Sequence, residues 1–313
     1  MKGAVVLSGL LVTILLATLL TMAVLDLADG DRARSVAAAR FGGEGTADDA
    51  MIAVVRAELG LDRPFLARYA DWAGAAVTGD LGQSFVTKEP VAQILTRAFA
   101  VTAPMALAAF VLGMALAIPL GVLAAVRPGG VIDRGTVALA SLGAAAPPFW
   151  LGLALIGLFA VQWQILPAYG AGTVAHLVLP AVTLAVWVMA SHTRLIRSFM
   201  REALAAPHLD ALRLRGVSEF RILTRHVARP VAGAMAPLLT LDLVGLLEGA
   251  VVIEVVFARP GLGLTFVEAL RARDMAVILG FVAFSVLLYA AANAAADVMS
   301  RRLDPRLREA LHV

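Results

Sequence analysis

Six long apolar stretches limit what this 313-residue chain can fold into more than any other feature of its sequence. They cover approximately residues 4–25, 98–126, 135–161, 175–193, 231–258 and 275–299. A helix needs roughly 20 apolar residues to cross a hydrocarbon layer about 30 Å thick, and each stretch is at or near that length. The pattern therefore predicts an all-α, polytopic membrane protein with six transmembrane helices.

The composition agrees with burial in lipid. Hydrophobic residues make up 60% of the sequence, charged residues 16%, and the mean hydropathy is +0.86. Soluble domains have about 45–50% apolar and about 25% charged residues. The pI of about 9.8 comes almost entirely from Arg, since Lys occurs only at Lys2 and Lys88. These cations flank apolar stretches without interleaved aromatic residues, which argues against nucleic-acid binding. Cysteine is absent, which excludes disulfides and thiolate metal sites.

Arginine residues concentrate in two segments, and this bias predicts the orientation in the membrane. The segments are the connection at 194–229 and the C-terminal tail at 301–313. Both are therefore expected in the cytoplasm. The connection from Gln162 to Ala175 carries no charge and is expected outside. With six spans, the amino terminus is then cytoplasmic as well.

This topology divides the chain into four parts. Residues 1–26 are expected to be a retained transmembrane helix, because they are too long for a signal peptide and lack a convincing cleavage site. Residues 27–97 form an extracytoplasmic segment, and residues 98–300 form a five-helix core with a cytoplasmic loop at 200–229. Residues 301–313 are a cytoplasmic tail. Within the extracytoplasmic segment, apolar spacing over 46–77 predicts two short amphipathic helices at the membrane surface, with Thr46 as a candidate cap.

The chain lacks the motifs for hydrolysing ATP or a peptide bond. A phosphate-binding Walker loop ends in Gly-Lys-Ser/Thr, and neither Lys2 nor Lys88 follows such a loop. The patterns His-Glu-x-x-His and Gly-x-Ser-x-Gly are absent as well. No set of His, Asp and Glu has the spacing of a metal site. We therefore expect neither catalytic residues nor a bound metal in this chain.

The cytoplasmic loop contains a more informative pattern. Residues 201–230 read REALAAPHLDALRLRGVSEFRILTRHVARP. A helix from about Pro207 to Arg215 can begin on Pro, whose φ angle suits a first helical turn. It can end at Gly216, which tolerates the left-handed conformation of a helix end. Ser218 is then the candidate cap of a second helix. An ordinary basic loop at a lipid surface is the alternative.

This loop resembles the coupling loop of bacterial ABC importer permeases. In that family an acidic residue and two small or apolar residues are followed by Gly six positions after the acid. Asp210, Ala211, Leu212 and Gly216 fit this pattern, with Leu where Ala is usual and Asp where Glu is commoner. The resemblance implies that these four residues couple the permease to an ATPase.

Further stretches are similar to the permeases of dipeptide, oligopeptide and nickel importers, and in particular to the first of their two permease subunits. In chain order they are LGLDRP at 59–64, GDLGQS at 79–84, PFWLG at 148–152, LPAYG at 166–170, EVVFARPGLG at 254–263, RD at 273–274 and LDPR at 303–306. Each alone could be a turn or an interfacial aromatic cluster. The resemblance rests on finding all of them in this order along nearly the whole chain. It implies that Glu254, Pro260, Gly261 and Gly263 belong to a structural outer turn.

The resemblance implies a transport complex. It would contain this chain, a second homologous permease, two ABC ATPase subunits and usually an extracytoplasmic solute-binding protein. This chain would need no cofactor, whereas the ATPases would bind ATP and Mg²⁺. The segment at 27–97 is a candidate surface for the binding protein. Peptides are the expected cargo, with nickel, a metallophore or another cationic solute as the alternative.

Ionisable residues inside two apolar stretches are candidate translocation-path residues. They are Asp242 and Glu248 in the fifth stretch and His192 in the fourth. Groups of this kind are unfavourable at membrane depth and usually face a cavity or a partner. The two acids can line a path for a cationic cargo, or they can pair with Arg of the partner permease or with His192.

Two functions of other classes stay open at this stage. An ion-coupled secondary transporter would use Asp242 and Glu248 as its engine, but it leaves Gly216 and the neighbouring helices unexplained. A membrane scaffold without transport predicts that the acids can be replaced freely.

Overall fold

The computed structural model of the chain describes residues 2–28, 30–41 and 48–303, and at some helical positions only the backbone is described. Within these ranges the chain is helical, and its one β-type pairing is an isolated bridge between Gln83 and Pro90. The predicted all-α class is therefore confirmed.

The α-helices are numbered in chain order. They are α1 (Lys2–Leu27), α2 (Arg32–Phe41), α3 (Asp49–Glu58), α4 (Phe65–Val77), α5 (Val91–Val126), α6 (Val131–Ala145), α7 (Pro148–Leu155), α8 (Ala175–Leu204), α9 (His208–Leu214), α10 (Glu219–Arg221), α11 (Ala228–Val256), α12 (Leu262–Ala272) and α13 (Met275–Leu303). Two π-helical segments continue α7 and α10, at Ile156–Gln162 and Ile222–Val227.

Four or five membrane spans are recognisable by length and composition. In the described part of the chain, the segments Val6–Leu27, Val91–Val126, Ala175–Leu204 and Met275–Ala296 qualify singly. The pair Val131–Ala145 and Pro148–Gln162 adds a fifth if it is counted as one span, although its two helices are bent by 96°. The fifth apolar stretch of the sequence coincides with the 29-residue helix α11.

The bend inside the third apolar stretch follows from two consecutive prolines. Ala146 is extended, with φ −73° and ψ 121°, because a residue that precedes Pro is disfavoured in the α region. Pro148 then occupies the start of α7, where a missing N–H leaves no hydrogen bond unmade. Hydropathy alone marked this stretch as one apolar run, whereas the prolines determine its shape.

The described residues form two compact units, and the first comprises Met1–Thr102 and Pro260–Ala290. The two short helices predicted over 46–77 are present as α3 and α4. Thr46 lies outside the described residues, and Asp48 caps α3 through a 2.7 Å hydrogen bond from the Met51 N–H to its carboxylate. The sequence did not predict α2, whose Val36 and Ala37 pack against Val55 of α3.

The second unit comprises Ala103–Arg259 and Ala291–Val313. Its core includes Met105 of α5, Val188 of α8, and Ile253 of α11. Helix α5 approaches α8 closely at Gly113, where an added Cβ would lie 2.5 Å from the Val188 Cβ. Small residues at such contacts let membrane helices pack backbone to backbone.

Candidate functional site

The structure confirms the short helix predicted between Pro207 and Gly216. Helix α9 follows Pro207 and spans His208–Leu214. It ends in a Schellman motif, in which the Gly216 N–H donates to the Arg213 carbonyl at 2.9 Å and the Val217 N–H to the Leu212 carbonyl at 3.1 Å. Gly216 has φ +75°, a left-handed angle that glycine adopts without steric conflict. The glycine therefore sets both the length of α9 and the direction of the chain after it.

A side-chain bridge joins α9 to the next helix. The Arg213 guanidinium donates to the Asp210 carboxylate at 2.8 Å and to the Glu219 carboxylate at 2.8 Å. The hydrogen bonds to Glu219 and Asp210 raise the pKa of Arg213. Because all three side chains are solvent-exposed, each ion pair stabilises the fold only modestly. The bridge still connects the two helices across the turn at Gly216.

The prediction for the second helix is only partly right. Ser218 occupies the cap position of α10, but its side chain makes no capping hydrogen bond, so its role as a side-chain cap is wrong. The helix changes to π geometry at Ile222. The Thr224 hydroxyl donates to the Phe220 carbonyl four residues earlier at 2.7 Å, a bond that competes with regular helical pairing. Sequence periodicity does not reveal such a change.

The loop has a buried face and an exposed face. Leu209 and Ile222 are buried in a cluster with Ile196 and Met200 of α8, and Leu212 packs against that cluster. Of the four predicted coupling residues, Asp210, Ala211 and Gly216 are exposed and Leu212 is half-buried. The loop is therefore anchored from beneath, with its outer face available to a partner.

Two apolar side chains on the outer face were not predicted as functional. Leu214 is 91% exposed and Phe220 is 77% exposed. The sequence could have indicated them, because each is an apolar residue at a helix position where the periodicity predicts a polar residue. Large apolar side chains exposed on the same loop as charged residues can mark a protein–protein contact when they form one patch.

His192 and Asp242, two of the predicted path residues, lie together. His192 is buried in α8, and its Nε2 lies 2.9 Å from the Asp242 Oδ2 of α11. Its Nδ1 lies 2.9 Å from the Val188 carbonyl, and since a carbonyl only accepts, Nδ1 carries a proton. Nε2 is not aligned for a hydrogen bond to Asp242, so the contact is close but electrostatic.

The two helices that carry the pair, α8 and α11, both belong to the second unit. Asp242 therefore has a polar partner, His192, within its own unit. This agrees with the sequence interpretation in which Asp242 pairs with His192. Glu248 lies on α11, but its side chain is outside the described residues.

The residues predicted for the outer turn fall at two helix ends. Glu254 is buried in the last turn of α11, and its carbonyl accepts the Arg259 N–H at 2.8 Å. This contact belongs to a second Schellman motif, in which Ala258 takes the left-handed conformation with φ +44°. Gly261 is the N-cap residue of α12, and Pro260 comes directly before it. Gly263 lies in the first turn of α12. In the first unit, the Leu262 N–H also donates to the Thr102 hydroxyl at 2.8 Å.

Arg259 fastens the end of α11 to the loop that precedes α8. Its guanidinium donates to the Gly170 carbonyl at 3.1 Å and to the His176 carbonyl at 2.8 Å. Burial lowers the pKa of Arg259, and the nearby Glu254 acts in the opposite direction. The motifs LPAYG and EVVFARPG, quoted separately from the sequence, are therefore in direct contact.

An ion pair that the sequence did not predict connects α6 and α8. Asp133, buried at the start of α6, accepts hydrogen bonds from the Arg197 guanidinium, one of them at 2.9 Å, and from the Gly129 N–H at 2.8 Å. The pair is 64 residues apart in sequence. Arg197 was counted only as a topology signal, yet it binds an acid of a neighbouring helix.

Comparison with known proteins gives matches over most of the chain. A family model described as "Binding-protein-dependent transport system inner membrane component" matches residues 117–309. A putative peptide transport system permease protein of Brucella abortus (strain 2308) is 34% identical over 305 residues, which cover 94% of each chain. The dipeptide transport system permease protein DppB of Escherichia coli (strain K12) is 31% identical over 325 residues, which cover 93% of this chain and 94% of that one.

A solved structure has a similar fold. A chain of the MetNI methionine ABC transporter, in an inward-facing conformation, aligns with a TM-score of 0.54. The alignment covers 68% of this chain and 97% of that one, at 21% sequence identity. At that identity the likeness concerns the fold alone.

Proposed function

Because this chain belongs to the family of binding-protein-dependent transport system inner membrane components, we propose that it forms the translocation path for short peptides in an ATP-driven importer. It is an integral inner membrane protein and the permease of an ABC importer. The family is a transport subunit and not an ATPase. The observation that supports peptides as the cargo is the match to relatives named for peptide and dipeptide transport, which covers 94% and 93% of this chain.

The proposed topology has six spans with both termini in the cytoplasm. Helices α1, α5, α8 and α13 and the bent pair of α6 and α7 supply five spans, and α11 is the sixth. Residues 27–97 are then an extracytoplasmic segment, and residues 98–300 form the five-helix permease core. The Arg-rich segments at 194–229 and 301–313 support this orientation.

The loop around α9 is the proposed contact with the ATPase. Asp210, Ala211, Leu212 and Gly216 fit the coupling pattern, and the buried Leu209 ties the helix to the core beneath it. The exposed Leu214 and Phe220 extend the contact with apolar surface. A helix that ends in a Schellman motif and is anchored from below can transmit a push from an ATPase as a rigid body.

The partners follow from the family. ATPase subunits and a solute-binding protein are general components of such systems. We propose two ATPases that bind ATP and Mg²⁺, one second homologous permease, and docking of the binding protein on the segment at 27–97. Asp242, His192 and Glu248 are proposed to line the translocation path, with Asp242 in contact with His192 at 2.9 Å.

Affinity purification from the native membrane tests this function. We expect two ATPases and a second permease to co-purify, and we expect proteoliposomes of the complex to take up radiolabelled dialanine only with ATP and the binding protein. Uptake of Ni²⁺ or a metal chelate instead of dialanine would support the nickel or metallophore alternative. A chain that purifies alone and transports without ATP would contradict the importer and favour the ion-coupled transporter.

A further inference from the structure

A groove in the first unit has the size of a small-ligand site. Its volume is about 690 Å³, and binding sites for small molecules are usually about 300–1,000 Å³, largely apolar, with a few polar groups. The floor includes Ile94, Ala98 and Val101, which lie along one face of α5. We call it the α5–α12 groove, since α12 forms the opposite wall.

Two charges on the α12 wall have no partner among the residues that the structure describes. Glu268 and Arg271 both line the groove and are exposed. Neither side chain makes a hydrogen bond or an ion pair with any residue that the structure describes. They are three positions apart on one helix, a spacing that often produces an ion pair, yet they do not bind each other. Both charges are therefore available to a ligand.

The remaining charged groups of the groove already have partners. Arg97, at the start of α5, donates to the Glu89 carboxylate. Asp274, which also lines the groove, is a buried carboxylate that accepts hydrogen bonds from the Ser84 hydroxyl and from two backbone N–H groups. Among the charged side chains of the groove, one acid and one base, Glu268 and Arg271, are then left without a partner in the described part of the chain. A strongly cationic or anionic ligand gains little from such a groove, whereas a ligand with one charge of each sign fits both free groups.

From this arrangement we infer that the α5–α12 groove binds a short zwitterionic peptide, with its ammonium group on Glu268 and its carboxylate on Arg271. Positions three apart on a helix place their Cβ atoms about 5–6 Å apart. A two-residue chain spans at most about 7 Å, so a dipeptide can reach both side chains, and its own side chains can contact the apolar floor. The inference rests on the proposed function and names its cargo subsite.

A small molecule fits this groove better than a docked protein does. A stable protein–protein contact buries about 800 Å² on each partner, whereas the free charges here lie within one turn of a single helix at the edge of a concave site. Docking of the binding protein and packing against the partner permease are separate outcomes that the experiment resolves.

The test is photolabelling of the purified importer complex with the dipeptide p-benzoylphenylalanyl-alanine. We expect the adduct, mapped by mass spectrometry, within residues 84–101 or 260–277. Dialanine should compete for it, and N-acetyl-dialanine amide, which has neither terminal charge, should not. Glu268→Gln and Arg271→Gln should each reduce the labelling about five- to tenfold, because each removes a charge-assisted hydrogen bond.

Matched variants separate binding from folding. Arg271→Lys keeps the charge and should retain most of the labelling. Arg127→Gln removes an exposed charge outside the groove and outside the segment at 27–97, and it should change nothing. An adduct at another place, or labelling that is insensitive to both groove variants, overturns the inference. The inference is also overturned if both groove variants lose the partner permease on purification, or if both lose affinity for the binding protein. If the wild-type complex transports dialanine but is labelled elsewhere, only the groove assignment fails; if it transports no dialanine, the proposed function fails.

Discussion

The Ser84 hydroxyl donates a hydrogen bond to the Asp274 carboxylate across 190 positions of sequence. Asp274 also accepts the Phe85 N–H at 3.2 Å and the Val86 N–H at 3.3 Å. The Ser84 oxygen accepts in turn from the Val86 and Thr87 N–H groups. Both side chains are buried. One carboxylate therefore holds the turn after α4 against the start of α13.

Replacing Asp274 by Ala should destabilise the first unit strongly. The substitution leaves the Ser84 hydroxyl and the Phe85 N–H without their acceptor, and it leaves the Val86 N–H with the Ser84 oxygen alone. Each unpaired donor costs about 1–3 kcal/mol. We expect the melting temperature of the purified complex to fall by several degrees, as measured by thermal unfolding in detergent.

A double-mutant cycle checks that the cause is this contact. Ser84→Ala alone should destabilise less, because the two backbone donors keep the carboxylate. The double variant should be clearly less destabilised than the sum of the single variants, since the residues share one network. Additive effects would mean that Asp274 acts through some other contact.

Gly216→Ala should uncouple ATP hydrolysis from transport. An added Cβ meets no atom within 4 Å, so the effect is conformational. A left-handed φ costs a residue with a side chain about 1–2 kcal/mol, which favours unwinding of the last turn of α9. We expect the complex to assemble and to hydrolyse ATP, but to take up less dialanine per ATP hydrolysed.

Gly129 offers a matched control for this substitution. Its φ is +76°, and an added Cβ again meets nothing within 4 Å. Gly129→Ala therefore carries a similar backbone penalty at the turn before α6, outside the α9 loop. It should lower stability by a similar amount and leave the ratio of uptake to hydrolysis unchanged. If both variants lower the ratio equally, α9 has no special part in coupling.

The sequence predicted what local chemistry determines. Pro207 and Gly216 predicted the start and end of α9, because each has a backbone preference of its own. In the structure the helix lies between them. The apolar stretches likewise located the long helices, because length and hydropathy are properties of a single segment. The α2 helix was missed since its composition, RARSVAAARF, has no marked apolar face.

Contacts between segments that are far apart in the sequence could not be predicted from it. GDLGQS and the pair RD were recognised as separate motifs, and no periodicity connects Ser84 with Asp274. The Arg213 bridge depends on how the turn at Gly216 aims Glu219 back toward α9. Arg197 and Asp133 meet only because α6 packs on α8. Such pairs depend on tertiary packing, which cannot be read from the local pattern of a single sequence.

Gly113→Ala should separate α5 from α8. The new Cβ would lie 2.5 Å from the Val188 Cβ and 3.0 Å from the Ala185 carbonyl oxygen, and neither atom belongs to the flexible end of a side chain. Overpacking of this kind costs about 1–3 kcal/mol. We expect a lower melting temperature, and Val188→Ala in the same chain should not restore it, because the Val188 Cβ remains.

Gly135→Ala is the control for helix propensity. Gly135 lies in α6, where an added Cβ meets nothing within 4 Å. There the substitution should be neutral or stabilising by up to about 1 kcal/mol. Equal destabilisation by Gly113→Ala and Gly135→Ala would show that the α5 glycine has no packing role.

Asp242→Asn and Asp242→Leu should separate structure from charge at the His192 pair. The Asn side chain keeps a polar atom beside the buried Nε2 of His192, so this variant should keep near wild-type stability. Leu removes that polar neighbour, so we expect the Leu variant to be less stable, by up to about 1–3 kcal/mol. Thermal unfolding of the purified complex and uptake of dialanine are the two measurements. Because Asp242 already has His192 as a partner within the chain, Asp242→Asn should also retain uptake. A stable Asn variant that no longer transports would mean that the cargo needs the Asp242 carboxylate.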